Sequence, residues 1–464
     1  MNTSTELVHA DVLVIGFGKG GKTLAATMGR QGKRVVMVEQ SSQMYGGTCI
    51  NIGCIPTKAL VHRADTRREA DEPQAWYQQA IGAVEELTTL LRGKNFQMLD
   101  TIDSVTVVTG RARFLDPTTV EVAAGSDRLT ISAETIVINT GAEPVIPDIP
   151  GLRASKHLVT STDLLHTSTL PNRLVVLGGG YLGVEFAAMY RQYGSEVTIL
   201  EAAPALMARE DDDIAAAATG ILAEDGITIL TGARCTTVRD NSDNGVTITY
   251  EQNGLQHTLQ ADTILAAVGR APATRGLGLE LAGVRTTGLG AVEVDERLRT
   301  SQPHIYALGD VNGGPQFTYI SLDDSRIVTD ELIGTATRTV KDRVAVPHTV
   351  FITPPLSTVG LTEKQARNDG HRITIASKPI AQIAAMPRAR IVGDTRGLMK
   401  FVIDAETDQI LGAALLCVDS QELVNTVALA IRHQVTASEL RDAIYTHPSA
   451  TEGFNEVLAT IVPA

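Results

Sequence analysis

Short apolar runs that end in glycine begin a repeating order of elements at two widely separated places in the chain. The first place reads as a buried strand "DVLVIG", a glycine turn, a helix "KTLAATMGRQG" and a second buried strand "RVVMVE". The same order returns in "RLVVLGGGYLGVEFAAMYRQYGSEVTILE". Two strand–turn–helix–strand units predict two nucleotide-binding domains of the doubly wound α/β class.

The pattern between and beyond these units indicates how the rest of the chain is organised. The β-rich runs "SVTVVTGRARFLDPTTVEV" and "ETIVINTG" are expected to complete the first unit, and "SDNG" to form a hairpin turn in the second. Near the end, "GLMKFVIDAETDQILGAALLC" predicts two antiparallel strands, followed by helices over 420–433 and 449–461. This last part has no glycine fingerprint and is expected to be a separate domain.

Composition limits what the chain can bind. Its 464 residues carry a formal net charge of −13, which argues against binding nucleic acid or an anionic membrane through a basic field. The stretch "MNTSTELVHADVLVIG" lacks the features of a signal peptide, and no apolar run approaches the roughly twenty residues of a membrane helix. We therefore expect a cytoplasmic protein, in which a disulfide is more often catalytic than structural.

The first glycine turn has the spacing of a dinucleotide-binding fingerprint. Gly16, Gly18 and Gly21 allow a tight turn, close approach of the backbone to a diphosphate, and close packing of helix on strand. The helix N-terminus is then expected to face the phosphates with free N–H groups. Glu39 ends the second strand, where a carboxylate binds ribose hydroxyls.

The second glycine turn repeats the fingerprint with Gly178, Gly180 and Gly183, and Glu201 ends its second strand. The chain is therefore expected to bind two dinucleotides. A carboxylate at position 201 would repel a 2′-phosphate, and the segment after it has no basic residue before Arg209. This favours NADH over NADPH.

Two of the four cysteines, Cys49 and Cys54, lie close together in "GGTCINIGC". They could form part of a metal clip, a structural staple or a redox pair. A metal clip needs a second pair of ligands, and the other two cysteines are isolated, so no resident metal site is predicted. A redox pair is favoured because Pro56 predicts the first turn of a helix here, and a helix N-terminus lowers the pKa of a thiol.

Several motifs in a fixed order resemble the class I flavoprotein disulfide reductases. They are "GGTCINIGCIPTKAL", "VINTGAEPVIPDIPG", "GGGYLGVEFA", "AVGRAPAT", "IYALGDV" and "THPSATE". The resemblance implies a homodimer whose chains have two doubly wound dinucleotide-binding domains and an α+β C-terminal dimerisation domain. The segments implied are FAD-binding (1–150), NAD(P)-binding (151–276), a central part completing the FAD domain (277–345) and an interface domain (346–464).

The resemblance also implies roles for individual residues. Cys54 would face the flavin, Cys49 would exchange with substrate, and Lys58 would lie near the flavin and pair with Glu185. The residues implied to bind FAD are Gly16, Gly18, Gly21, Glu39, Gly47, Thr48, Lys58, Thr140, Gly141 and Asp310. Those implied to bind NAD(P) are Gly178, Gly180, Tyr181, Gly183, Glu201 and Gly269.

The motif "THPSATE" implies a His447–Glu452 dyad that reaches into the partner subunit's site. Histidine shuttles protons near neutral pH, and a nearby carboxylate fixes its tautomer and raises its basicity. Histidine and glutamate five residues apart are close enough to serve one site.

The acceptor that takes the electrons differs between branches of this family. The runs "QFTYISLDD", "TPPLSTVGLTEKQAR", "PRARI" and "LLCVDS" most resemble the branch that confers resistance to reactive chlorine and reduces Cu(II) to Cu(I). A thiolate pair suits a soft metal ion. Dihydrolipoyl dehydrogenase and mercuric reductase activities stay open, although the chain has no cysteine after Cys417. A redox-sensing flavoprotein with a protein partner, and an oxidase or transhydrogenase that does not use the disulfide, are the alternatives of other classes.

Overall fold

The structure, a computed structural model, describes residues 6–242 and 245–463. Asp243 and Asn244, in the middle of the predicted "SDNG" turn, lie outside the described residues. Within the described residues, we find no helix that combines the length and the apolar character needed to cross a membrane.

Residues 6–150 form a sheet with a parallel core and an antiparallel hairpin at one edge. Its strands are β1 (Glu6–Ile15), β2 (Val35–Glu39), β3 (Val105–Thr109), β4 (Arg111–Phe114), β5 (Thr119–Ala124), β6 (Asp127–Ile138) and the separate β7 (Ala142–Pro144). The helices are α1 (Lys19–Arg30), α2 (Gly47–Asn51), α3 (Cys54–Asp65) and α4 (Pro73–Asp100). The strand order is β3-β2-β1-β6-β5-β4, and β2 is buried at every position, as expected for a strand covered on both faces.

Residues 158–272 form a second parallel sheet and a small antiparallel one. The strands are β8 (Leu158–Val159), β9 (Arg173–Leu177), β10 (Glu196–Leu200), β11 (Thr228–Leu230), β12 (Ala233–Asp240), β13 (Val246–Gln252), β14 (Leu255–Ala261), β15 (Thr263–Ala266) and β16 (Arg270–Pro272). The helices are α5 (Ser161–Leu164), α6 (Tyr181–Tyr193) and α7 (Asp212–Glu224). The parallel order is β11-β10-β9-β15-β8, while β12-β13-β14 are antiparallel and β16 pairs with β7.

The chain then returns to the first sheet. Strand β17 (Ile305–Ala307) pairs in parallel with the end of β6, and helix α8 (Thr318–Ile333) packs against α1. Because β6 and β17 end at the same edge of the sheet as β1, the loop after β17 is delivered next to the first glycine turn. This placement agrees with the expected role of residues 277–345, although the domain boundaries themselves stay predictions.

The C-terminal part is a six-stranded antiparallel sheet with helices. Its strands are β18 (His348–Val350), β19 (Leu356–Gly360), β20 (Ile373–Pro379), β21 (Leu398–Asp404), β22 (Ile410–Leu416) and β23 (Val462–Pro463), in the order β18-β19-β22-β21-β20-β23. The helices are α9 (Glu363–Asn368), α10 (Pro387–Ile391), α11 (Ser420–Arg432), α12 (Ala437–Asp442) and α13 (Gly453–Val457).

The predicted fold class, two doubly wound sheets and an α+β C-terminal part, is confirmed. The predicted pair of antiparallel strands is β21 and β22, and the predicted helix over 420–433 is α11. The predicted helix over 449–461 is wrong in extent, because α13 starts only at Gly453. The residues before it form a turn in which Glu452 accepts a hydrogen bond from the Ser449 amide.

Candidate active site

One cleft of about 2370 Å³ joins both glycine turns and the two close cysteines. The predicted FAD-binding residues that line it are Gly16, Gly18, Glu39, Gly47, Thr48, Lys58, Thr140, Gly141 and Asp310. The predicted NAD(P)-binding residues that line it are Gly178, Gly180, Tyr181, Glu201 and Gly269. The cleft therefore gathers predicted binding residues from Gly16 to Asp310.

The third glycine of each fingerprint lies behind the cleft, beneath its helix. A Cβ atom on Gly21 would lie 2.7 Å from the carbonyl oxygen of Gly16, and one on Gly183 would lie 2.0 Å from that of Gly178. Each glycine is thus needed where a helix presses on its turn, and Gly21 and Gly183 serve packing, not the cleft surface.

The first turn places a carboxylate beside the helix N-terminus. Glu39 accepts hydrogen bonds from the backbone N–H groups of Phe17 (3.0 Å) and Ser41 (3.3 Å). Burial raises the pKa of the Glu39 carboxyl above its usual value, and these amides oppose the rise. The carboxylate is therefore fixed in place at the end of β2.

The amides at the start of α1 are less free than the fingerprint alone suggests. The N–H of Gly21 donates to Oδ1 of Asn139 (2.9 Å), and the N–H of Gly20 donates to Oγ of Ser321 (3.1 Å). Asn139 also donates to the carbonyl oxygen of Leu308 (2.7 Å), so it joins α1, β6 and the loop after β17. Sequence reasoning missed Asn139, although a polar residue directly after a buried strand was a visible signal.

Glycine brings the cysteine segment, residues 46–54, against the first glycine turn. Gly47 has a φ of +74°, and a Cβ atom on it would lie 2.6 Å from the Cα atom of Gly18. Neither the backbone conformation nor the space admits a side chain. The two loops therefore touch, and the cysteines come to the same place as the first nucleotide turn.

Cys54 is the first residue of α3, and Pro56 lies in that helix's first turn as predicted. Its Sγ lies 3.4 Å from Oγ1 of Thr318, and all four cysteines are thiols in this structure. A hydrogen bond with Cys49 is the largest cause that lowers the pKa of Cys54, to about 6. Thr318 and the nearby positive charge of Lys58 act in the same direction.

The partner sulfur, Cys49, behaves in the opposite way. The hydrogen bond with Cys54 and burial raise the pKa of the Cys49 thiol above its usual value. One proton is thus shared unequally between the two sulfurs, and Cys54 is the one that ionises first.

Lys58 connects the cysteine helix to the second nucleotide unit. Its Nζ lies 2.8 Å from Oε2 of Glu185, on α6, and 4.7 Å from the ring centroid of Phe351. Glu185 is only 7% exposed, and its other oxygen accepts the Phe351 N–H at 2.7 Å. Since Lys58 lies one turn after Cys54, this ion pair holds α3 and α6 together at the cysteines.

The second turn is built like the first. Glu201 accepts hydrogen bonds from the N–H groups of Gly179 (2.5 Å) and Ala203 (2.6 Å), which fix both carboxylate oxygens at the end of β10. At the first residue of α6, the hydroxyl of Tyr181 donates to the buried Glu210 (2.5 Å). The ring of His348 lies 5.3 Å from that of Tyr181.

Asp310 and Arg270 lie at the floor of the cleft. Burial raises the pKa of Asp310, and the positive charge of Arg270 opposes that rise. Arg270 donates to the carbonyl oxygen of Ala142, which anchors it beside β7. The sequence analysis missed Thr318, Glu210, His348 and Arg270, because each lies in a loop or at the first residue of a helix or strand that only tertiary folding brings to the cleft.

The His447–Glu452 pair forms, but away from this chain's cleft. His447 Nδ1 lies 2.8 Å from Oε1 of Glu452, and the Ser449 N–H donates to the other carboxylate oxygen at 2.8 Å. These hydrogen bonds, that from Ser449 first, lower the pKa of Glu452. The side chain of His447 is 71% exposed, so the dyad is presented outward.

This combination of two dinucleotide turns with a cysteine pair between them agrees with the comparisons with known proteins. Residues 10–325 match the model for pyridine nucleotide-disulphide oxidoreductases, and residues 346–458 match the dimerisation domain of that family. The chain belongs to the pyridine nucleotide-disulphide oxidoreductase family. It is therefore an oxidoreductase of the flavoprotein disulfide reductase type, a family that uses FAD and a pyridine nucleotide.

Individual relatives within this family span nearly the whole chain. The chain is 46% identical to the probable pyridine nucleotide-disulfide oxidoreductase RclA of Escherichia coli strain K12, covering 97% of this chain and 98% of that protein. It is 33% identical to dihydrolipoyl dehydrogenase of Geobacillus stearothermophilus (96% and 94% covered) and 34% identical to mercuric reductase of Staphylococcus aureus (96% and 81%).

Solved structures of E. coli RclA share the fold. The Cu(II) complex of this HOCl-induced flavoprotein disulfide reductase aligns with a TM-score of 0.91 at 46% identity, covering 97% of this chain and 99% of that one. The structure described without Cu(II) aligns with a TM-score of 0.90 at the same identity and coverage.

We predict that Lys58→Met raises the pKa of Cys54 by about one unit, because it removes a positive charge that favours the thiolate. In pre-reduced protein, the ultraviolet absorbance of the thiolate then appears at higher pH than in the parent, whose midpoint lies at about 6. Cys235, whose pKa burial raises to about 11, and the buried Cys417 do not titrate in this range.

The matched control is Lys33→Met, an exposed lysine outside the cleft. This substitution should leave the pH midpoint of Cys54 ionisation at the parent value. An unchanged midpoint in Lys58→Met would show that the ion-paired lysine does not set the ionisation of Cys54.

Proposed function

We propose that the chain uses NAD(P)H to reduce a redox disulfide formed by Cys49 and Cys54, which then reduces an acceptor, with Cu(II) as that acceptor. The observation that carries the proposal is the position of Cys54. A thiol whose pKa is lowered to about 6 begins a helix in the cleft that contains both dinucleotide turns. A structural disulfide needs neither the low pKa nor the nucleotide turns.

The first turn fits FAD. Gly16 and Gly18 present no side chain at its surface, and Glu39 presents a fixed carboxylate suited to ribose hydroxyls. The other residues proposed to hold FAD are Gly21 through packing, Gly47, Thr48, Lys58, Thr140, Gly141 and Asp310. Bound there, FAD would supply the two-electron chemistry that connects the nicotinamide to the disulfide.

The second turn fits a pyridine nucleotide, and we assign NADH as the preferred one. Gly178, Gly180 and Gly269 line it without side chains, and Gly183 lets α6 pack closely. Glu201 places a negative charge where NADPH would bring its 2′-phosphate. Tyr181, whose hydroxyl donates a hydrogen bond to Glu210, would cover the nicotinamide end of the bound nucleotide.

The two cysteines have unequal tasks in this proposal. Cys54, as the first thiolate, faces the flavin, whereas Cys49 meets the acceptor. Lys58 and Glu185 hold the helix that carries Cys54. In a homodimer, His447 with Glu452 of one subunit supplies a proton shuttle to the partner's cysteines, because the His447 imidazole is exposed and both residues lie outside the cleft of their own chain.

Cu(II) is proposed as acceptor because two E. coli RclA structures at 45–46% identity are described as Cu(II) complexes and because thiolates suit soft metal ions. Oxidation of the pair, with Cys54 as thiolate and Cys49 as thiol, by two Cu(II) ions gives two Cu(I) ions, re-forms the S–S bond and releases the proton of Cys49. Dihydrolipoamide chemistry is the second candidate, supported by the His447–Glu452 hydrogen bond and the identity to a dihydrolipoyl dehydrogenase.

The acceptor is tested by anaerobic reduction with NADH followed by separate addition of Cu(II), oxidised lipoamide, glutathione disulfide or Hg(II). We expect Cu(II) to reoxidise the flavin absorbance fastest. If only oxidised lipoamide reoxidises the flavin quickly, lipoamide and not Cu(II) is the acceptor. Slow reoxidation by all four compounds would favour a redox sensor.

Cys49→Ser should lower Cu(II)-driven reoxidation by about a hundredfold or more while NADH still bleaches the flavin. Cys417→Ala, in the core outside the cleft, is the control and should react like the parent.

Glu201→Gln tests the choice of nucleotide. It removes the charge but keeps the size, so kcat/KM for NADPH relative to NADH should rise by about tenfold. Glu196→Gln, exposed at the other end of β10, should leave the ratio unchanged. A parent enzyme that already prefers NADPH would contradict the assignment of NADH.

A further inference from the structure

A buried lysine beside the cysteine segment is not used by the function proposed above. Lys22 lies on α1, one helical turn after Gly18, and only 5% of it is exposed. Residues four apart share a helix face, so Lys22 lies on the face where Gly18 touches Gly47. Most lysines keep the charged end in water, and burial of an ammonium group is costly unless another group compensates it.

The contacts of Lys22 lead towards the start of α2, the short helix that contains Cys49. Its Nζ donates to Oδ1 of Asn95 on α4. Asn95 in turn touches the start of the cysteine helix, because a Cβ atom on Gly46 would lie 3.2 Å from its Cγ atom. Lys94, the charged neighbour of Asn95 in sequence, is exposed, and Arg92 donates to Asn51 at 2.9 Å. A neutral amide is therefore the direct partner of the buried ammonium group.

The charges around Lys22 identify what compensates it. Burial lowers the pKa of Lys22 to about 8, and the neighbouring Lys19 on the same helix adds to that effect. The group that acts in the opposite direction is the Cys49 thiolate. The effect is mutual, since Lys22 and Thr318 lower the pKa of Cys49 while Cys54 and burial raise it. At neutral pH Lys22 is still largely protonated.

We propose that Lys22 is a positioning residue for Cys49, whose buried positive charge favours the anionic form of that sulfur when it meets the acceptor. The inference rests on the proposed function only in giving Cys49 this task. The anion exists only after the disulfide is reduced, so the ammonium group gains its partner in the reduced enzyme. A lysine with a purely structural role would have no effect on the ionisation of Cys49.

The test uses FAD-loaded Cys54→Ser protein, in which Cys49 is the remaining sulfur of the pair. Its alkylation by iodoacetamide, in which the S–C bond forms and iodide leaves, is followed from about pH 5 to pH 10, since only the thiolate reacts. Lys22→Gln and Lys22→Met are each added to this background. Peptide mass analysis assigns the modification to Cys49 and not to Cys235 or Cys417.

We expect both neutral variants to move the midpoint of alkylation up by about one pH unit, which corresponds to about tenfold slower reaction at neutral pH. Lys22→Arg keeps the charge and should stay near the parent. Lys94→Met, next to Asn95 but on the exposed side of α4, should have no effect. The glutamine of Lys22→Gln can still donate an N–H to Asn95, so this variant removes the positive charge of Lys22 with the least change in packing.

A neutral variant that loads FAD normally and alkylates with the parent's pH profile would overturn the proposal. So would neutral variants that lose FAD while the alkylation profile stays unchanged, since Lys22 would then serve the cofactor. Because iodoacetamide replaces the acceptor and no nucleotide is needed, the result holds whether or not Cu(II) is the acceptor. Failure of the Cu(II) experiment and failure of this one are therefore separate outcomes.

Discussion

The contact between two glycines, Gly18 in the first dinucleotide turn and Gly47 in the cysteine segment, is the constraint on which the site depends. The would-be Cβ atom of Gly47 is only 2.6 Å from the Cα atom of Gly18, so any side chain there would push the two loops apart. Their closeness puts the N-terminal end of α1 and the beginnings of the two cysteine helices in one place. The sulfurs of Cys49 and Cys54 can then lie beside a bound dinucleotide without any long connecting segment.

A second set of contacts extends this arrangement to the rest of the molecule. The Lys58–Glu185 ion pair joins the cysteine helix to α6 of the second nucleotide unit. The amide of Phe351, after β18, completes the hydrogen bonds of Glu185 and so brings in the C-terminal part. Three parts of the chain thereby meet at Lys58, one turn after Cys54, and the same lysine contributes to the low pKa of that thiol.

Much of the fold could be read from local patterns, because buried parallel strands and glycine turns have strong signatures in sequence. The two parallel sheets, the β21–β22 pair and α11 were predicted correctly from such patterns. The extent of α13 was not predicted correctly, because the turn before it is held by hydrogen bonds to the Glu452 side chain that periodicity does not reveal. Within the site, spacing in the sequence was enough to predict the glycines of the two fingerprints, Glu39, Glu201 and the cysteine pair. The roles of the other residues were predicted from family resemblance.

The remaining site residues depend on tertiary contacts. Asn139, Thr318 and His348 reach the cleft from three different elements. Lys22 was not singled out in the sequence, because only the packing of α4 and the cysteine segment buries it. Positions of this type become visible only when the elements around them are assembled.

The central claim, that electrons from the nucleotide reach the Cys49–Cys54 disulfide, is tested most directly by counting thiols. Oxidised holoenzyme is mixed anaerobically with one equivalent of NADH, quenched with an alkylating agent and digested. The account predicts two new alkylated cysteines per subunit, both in the peptide that contains Cys49 and Cys54. Reduction of the flavin with no new thiols in that peptide would contradict it.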